Sequence, residues 1–205
     1  MFISAKLSVV QQAEPERALE SSPSRLQLDY VDLYLNHWPA PAHNHYVSAW
    51  QKLIELQKQE VIKTIGVCNF GLPHLERLRL ETDVTPAVNQ LELHPLLQQK
   101  ELHAWNATHH IATASFWPLA QAGAGVFDQP VIKELAMKQG KAPAQVVLRW
   151  HLDHGRGALP EAATEAEVKE YYDVWDFRVD QAAREAVTQL DAGKRLGPDP
   201  AAYTY

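Results

Sequence analysis

The stretch that decides the fold is LQLDYVDLYLNHWPAP, residues 26–41. Tyr30, Val31, Leu33, Tyr34 and Leu35 form a near-continuous apolar run of strand length, the pattern of a strand buried on both faces. Pro39 and Pro41 forbid its continuation, so His37 and Trp38 stand at its carboxyl end. Parallel sheets, open or closed, place their chemistry at that edge. A lone histidine in such a place is ordinarily a packed core residue. Its meaning here rests on the rest of the chain.

Outward from this strand, short apolar runs alternate with amphipathic helical segments. Before it, residues 2–7 predict a strand and residues 15–25 a weak helix, interrupted by Ser21, Ser22 and Pro23. After it, Trp50, Leu53, Ile54 and Leu56 mark the buried side of a helix over 46–58. Then follow a strand at 65–68, a helix at 72–81, a strand at 87–93, a helix at 100–109 and a strand at 111–116. Helices over 131–138 and 143–153 precede a short strand at 158–159. Helical patterns at 165–172 and 181–190 lead into a Gly/Pro-rich tail, LGPDPAAYTY. No linker or low-complexity stretch interrupts the series, so residues 1–205 read as one domain.

Six strands alternating with helices imply parallel pairing, right-handed crossovers and helices outside. The pattern fits an α/β protein of the (β/α)8 TIM-barrel type better than an open dinucleotide-binding sheet, because no glycine-rich fingerprint follows any strand. Such a barrel has eight strands in about 250 residues. Six strands leave two alternatives: a barrel truncated to about six βα units, or an open sheet.

Composition narrows the function classes. With 46% hydrophobic and 21% charged residues and no apolar run of membrane-spanning length, a soluble globular protein is expected. Lys plus Arg number 19 against 25 Asp plus Glu, a formal net charge of -6, and no basic block stands out. That disfavours nucleic acid and anionic membrane as partners. The single cysteine, Cys68, excludes an internal disulfide and any Cys-rich metal site. The opening MFISAKL has no signal-peptide pattern, which predicts a cytoplasmic location. Among ten histidines, His109, His110, His151 and His154 lie on polar, helix-like stretches without convergent carboxylates, so no metal site is expected.

Several blocks carry a more specific signal: LDYVDLYLNHWPAP at 28–41, IGVCNF at 65–70, VNQLELHPLLQQ at 88–99, LHAWNATH at 102–109, KAPAQVVLRWHLD at 141–153 and YDVWDFR at 172–178. In this order they resemble the aldo/keto reductases, in particular the bacterial 2,5-diketo-D-gluconate reductase branch, whose members also reduce methylglyoxal and other small carbonyls. The resemblance runs from residue 2 to about residue 200, starting at the family's third strand. It implies a (β/α)8 barrel incomplete at its N-terminus, NADPH as cofactor and a small aldehyde or ketone as substrate.

The resemblance also implies roles. Lys6 takes the place of the family's active-site lysine, and His37, beside Trp38 in the substrate site, that of the histidine orienting the carbonyl. Asn69 and Gln90 match the pair that hydrogen-bonds the nicotinamide carboxamide, and Phe116 the aromatic that stacks on its ring. Leu119 and Gln121 match the loop along the phosphates, with Trp117 replacing a small residue there. Glu170 keeps an adenine-contacting position, beside Tyr171 in place of an asparagine. For Asn69 and Gln90 taken alone, capping a strand end is the ordinary explanation.

Two departures bear on activity. The family's general acid is a tyrosine, its pKa lowered by the lysine, which an aspartate holds. The motif carrying that tyrosine and aspartate does not occur in this sequence, and losing a positioned acid costs roughly 10²- to 10⁴-fold in rate. Where the family grips the adenosine 2′-phosphate with lysine, serine and arginine, this chain has Glu161, Ala162 and Glu167. A unit-charge contact at about 4 Å is worth about 1 kcal/mol in water and about 4 at an effective dielectric of 20. The expectation is a disrupted 2′-phosphate site, with NADPH preference weakened or inverted. Residues 161–170 also read as a solvated helix start, where Glu165 and Glu167 suit the helix dipole.

Three functions follow from these readings. One is an NAD(P)H-dependent carbonyl reductase, impaired. Another is an inactive barrel scaffold. The last is one half of a split enzyme, in which exposed strand edges support self-association or complementation.

Overall fold

A computed structural model of the chain describes residues 2–18, 31–123 and 125–204. The first half runs β1 (Ser4–Leu7), a 3-10 turn (Val9–Gln11), β2 (Val31–Asn36), α1 (Tyr46–Lys58), β3 (Ile62–Cys68), α2 (Leu72–Thr82) and β4 (Val88–Glu92). The second runs α3 (Lys100–Thr108), β5 (Ala112–Phe116), α4 (Ala120–Gly123), α5 (Pro130–Gln139), α6 (Pro143–Asp153), β6 (Gly157–Leu159), α7 (Glu165–Tyr172) and α8 (Gln181–Thr188). The pairs β1–β2, β2–β3, β3–β4 and β5–β6 are all parallel. Strand order in the six-stranded sheet is sequential, as consecutive βα units require.

Some elements differ from the expectation. The strand read at 65–68 begins at Ile62, because Lys63 and Thr64, which look like a polar approach, already belong to the ladder. Lys63 pairs in solvent with Asp32 at 3.1 Å, while Ile62 is buried. β1 starts at Ser4 rather than residue 2. Helix α4 was not anticipated; four residues are too few to carry a helical period. The weak helix over 15–25 begins at Pro15 and runs through Ala18. Its remainder, and residues 26–30 with Tyr30, lie outside the described residues.

The chain divides into two compact units. The first comprises Met1–Gln90, Leu102–Ala112 and Pro198–Tyr205. Its core is Leu7, Tyr34, Leu35, Trp50, Leu53, Ile62, Leu75 and Leu78, all fully buried. β2 is the central strand, buried along nearly its whole length, and α1 buries Trp50, Leu53 and Ile54. Each such side chain contributes about 1.5–3 kcal/mol by leaving water. At Gly66 in β3 an added Cβ would lie 2.7 Å from Leu35 Cδ2 and 2.8 Å from the Val88 carbonyl, so only glycine fits.

The second unit comprises Leu91–Glu101 and Thr113–Gly197. Its core gathers Leu93, Ile132, Val146, Val147, Trp150 and Val187. α5 stops at Gly140, left-handed at φ 62°, and Pro143 opens α6 directly after its N-cap residue Ala142. α6 is buried from Ala144 to His151. His151 therefore corrects the sequence reading, which put it on a polar stretch. It is wholly buried, its Nε2 lies 3.2 Å from the Pro118 carbonyl, and burial pushes its pKa down to about 3.

Candidate active site

In the first unit the parallel register sets the level of each strand end. Leu7 pairs with Asn36, Asn36 with Val67 and Val67 with Asn89, while Cys68 pairs with Gln90. His37 and Asn69 thus stand just beyond the carboxyl ends of β2 and β3, while Gln90 lies within β4, two residues before its end and level with Cys68. Lys6 lies one residue before the end of β1. His37 N donates to the Leu7 carbonyl at 3.0 Å, continuing the ladder past the strand.

These residues are joined by hydrogen bonds. Asn69 Nδ2 donates to the His37 carbonyl at 3.2 Å, and Asn69 N to the Gln90 carbonyl at 2.9 Å. Asn69 adopts φ 66°, a left-handed conformation that asparagine tolerates better than other side chains. Cys68 Sγ donates weakly to Gln90 Oε1 at 3.7 Å. Burial, with a smaller contribution of opposite sign from the Lys6 charge, drives the Cys68 thiol up to about 12. It is an inert core group.

His37 is half-buried. Burial first, then the Lys6 charge, lower its pKa to about 4. At neutral pH the imidazole is uncharged and keeps one N–H donor and one lone pair. It suits orienting a carbonyl oxygen rather than delivering a proton as imidazolium.

Two residues that the sequence reading passed over build this corner. Gln12 Nε2 donates to both Asn36 Oδ1 and the Trp38 carbonyl, each at 2.7 Å. Tyr203 stacks on Trp38 with ring centroids 4.0 Å apart and planes 14° from parallel. His43 Nε2 lies 2.5 Å from the Thr204 carbonyl, fixing the same terminal segment. A paired aromatic motif in a Gly/Pro tail was the available signal for Tyr203; Gln12 had none.

The second unit contains a cavity of about 710 Å³ lined by Trp117, Pro118, Leu119, Gln121, Pro160, Glu161, Ala162, Ala163, Glu167 and Tyr171. Leu119, Gln121, Glu161, Ala162 and Glu167 thus come together as the sequence suggests. Phe116 ends β5 and Glu170 sits on α7, and neither lines the cavity. Trp117, Ala120 and Gln121 all have positive φ, so the loop along one wall is tightly wound. Among the described lining residues there is no lysine or arginine.

Glu167 has a local task as well. Its Oε2 accepts Ala163 N at 2.7 Å and Thr164 N at 3.1 Å, while Thr164 Oγ1 accepts Glu167 N at 3.2 Å. This is a capping box at the start of α7. Burial and then the charges of Glu167 and Glu170 push the Tyr171 phenol up.

Also in the second unit, Glu92 at the end of β4 is 1% exposed. It accepts Leu196 N at 2.6 Å, Gly197 N at 2.9 Å and His94 Nε2 at 3.2 Å. Burial pushes its carboxyl up, but these bonds outweigh it and hold the group below the ordinary carboxylate value. At Gly197 a Cβ would meet Glu92 Oε2 at 2.9 Å and Trp117 at 3.1 Å. Among the described residues no three His, Cys, Asp or Glu side chains group as a metal site, and no helix is long and apolar enough to cross a membrane.

Parallel strands in sequential order, alternating with helices, define the class of α/β proteins built from consecutive βα units. The model of the Aldo/keto reductase family matches residues 1–192, and the chain belongs to that family. It is 58% identical over 200 residues to methylglyoxal reductase DkgA of Yersinia pestis, covering 98% of this chain and 72% of that protein. The same figure, 58%, holds for methylglyoxal reductase DkgA of Escherichia coli K12, with 73% of that protein covered. Among solved structures, a Gox0644 mutant in complex with NADPH matches with TM-score 0.95 and 40% identity, over 100% of this chain and 76% of that one.

Proposed function

We propose that the chain binds a nicotinamide dinucleotide and a small carbonyl compound, with methylglyoxal as the leading candidate, and acts as a slow carbonyl reductase. The observation that carries this is the neutral His37 at the end of β2, tied through Asn69 to the backbone of Gln90. Its N–H orients the substrate oxygen, and Lys6, whose charge is felt at His37, stabilises the negative charge that grows there. Trp38, 9% exposed and stacked on Tyr203, forms an apolar wall for a short substrate.

Asn69 and Gln90 present amides, which exchange paired hydrogen bonds with a carboxamide. A nicotinamide therefore fits this strand edge, and in reduced form it supplies the hydride. In the second unit Leu119 and Gln121 line the cavity, and Glu170 sits on α7.

The 2′-phosphate of NADPH does not fit the cavity of the second unit. A phosphate is held by cations and free backbone N–H groups. Here the lining carries two carboxylates, and Glu167 already occupies the N–H groups of Ala163 and Thr164. We therefore assign NADP(H) to the family and a weakened 2′-phosphate grip to this chain. The edge strands β1, exposed at Ser4 and Lys6, and β6, exposed at Gly157 and Leu159, are open to self-association or a complementing segment.

The test is oxidation of NADH and of NADPH followed at 340 nm with methylglyoxal. Slow, carbonyl-dependent oxidation above the protein-free rate supports the reading. Absence of any carbonyl-dependent oxidation, with nucleotide binding intact, leaves a binding scaffold instead. Sedimentation velocity reads the edges: a concentration-dependent shift supports self-association, and a single monomer species at all concentrations contradicts it.

A further inference from the structure

We infer that the cavity of the second unit recognises an adenosine ribose by its free 2′-hydroxyl, with Glu161 and Glu167 as acceptors, so that the chain takes NADH in preference to NADPH. The inference rests on the proposed reading that a nicotinamide dinucleotide binds. It adds what the altered positions do, rather than only what they lost.

The cavity of about 710 Å³ lies in the range of ligand sites, and its lining includes two aromatic side chains, Trp117 and Tyr171, and two carboxylates, Glu161 and Glu167. A dianionic phosphate placed there meets like charge and finds no guanidinium or ammonium among the described lining residues. The backbone donors that would otherwise receive it, Ala163 N and Thr164 N, are filled by Glu167 Oε2. A hydroxyl has the opposite requirement. It donates to a carboxylate, and Glu167 Oε1 and the exposed Glu161 carboxylate are the acceptors at hand. Dinucleotide sites elsewhere use an acidic side chain on the ribose 2′-hydroxyl in the same way.

Glu161 and Glu167 differ in what they risk. Glu167 caps α7, and its replacement disturbs the helix start. Glu161 precedes the cap and is exposed, so its replacement reads charge alone.

The experiment is calorimetric titration of the purified chain with ADP-ribose and 2′-phospho-ADP-ribose, probes that lack nicotinamide, and then with NADH and NADPH. ADP-ribose is expected to bind on the order of a hundredfold tighter than its 2′-phosphorylated form, about tenfold for each opposed carboxylate. Glu161→Lys narrows that ratio about tenfold, and Glu161→Lys with Glu167→Arg reverses it. If the double variant fails to fold, Glu161→Lys alone still decides. Equal affinities, tighter binding of the 2′-phosphorylated probe, or a ratio unmoved by Glu161→Lys overturns the inference and leaves the reductase reading standing. Failure of all four nucleotides to bind overturns that reading, and this inference with it.

Discussion

The strand tips of the first unit and the cavity of the second are built by opposite means. His37, Asn69 and Gln90 are held by backbone ladders and by side chains that are largely buried, so their positions follow from the packing of β2, β3 and β4. Glu161 and Ala162 are exposed, Glu167 is half-buried, and all three sit on a loop and a helix start outside the core, where identity changes at little cost to the packing. A function written into core geometry survives sequence change, whereas one written into surface charge is reassigned by single substitutions.

The largest expected effect that probes this contrast is on turnover. His37→Ala removes the donor that orients the carbonyl and is expected to lower kcat/KM for methylglyoxal about 100- to 1000-fold. The affinity for ADP-ribose, read by the second unit, stays unchanged. Initial-rate kinetics and calorimetry on the same sample check both halves. A parallel loss of ADP-ribose binding breaks the comparison.

Next in size is a stability effect at the packing that sets the strand tips. Gly66→Val forces side-chain atoms against Leu35 and the Val88 carbonyl, and about 3 kcal/mol of destabilisation is expected in urea unfolding. A smaller loss, about 2 kcal/mol, is expected for Glu92→Gln, which leaves the Leu196 and Gly197 amides with a neutral acceptor.

Acid separates the contributions. His37 titrates at about 4 in the folded chain instead of 6.5, so between those values the unfolded chain binds the proton first. Stability is then complete above pH 6.5 and declines as pH falls toward 4. The wholly buried His151, at about 3, adds to the same slope. Glu92, depressed below 4.5, contributes above that value and loses its contribution as pH falls through its folded value. Urea midpoints measured from pH 7 to 4 should fall steadily, and less steeply in His37→Ala. The smallest effect is at the surface: Lys63→Ala, breaking the exposed pair with Asp32, should cost under about 1 kcal/mol.

Much of this was legible in the chain itself. The run VDLYLN with prolines just beyond it marked a strand buried on both faces, and the helices of 46–58, 143–153 and 165–172 stand where their apolar spacing put them. Lys63 and Thr64 concealed the start of β3, because an exposed end of a strand carries the polarity of a loop. The burial of His151 was hidden because a neutral imidazole in a core looks, in sequence, like one in water. Gln12 and Glu92 act across 24 and 105 residues of chain, and no local pattern encodes such a partner. Glu167 carried two readings, a reversed charge at the family's 2′-phosphate position and a residue of a solvated helix start; the structure has it capping α7 and lining the cavity, a pair of contacts that the sequence did not spell out.

The account's central claim is that the strand tips of the first unit hold a nicotinamide carboxamide without help from the adenosine end. Its most direct test is a side-chain amide NMR titration with reduced nicotinamide mononucleotide, which carries no adenosine. The account predicts saturable shifts of the Asn69 and Gln90 side-chain amides and of the His37 ring. Saturable binding that leaves those three resonances in place would contradict it.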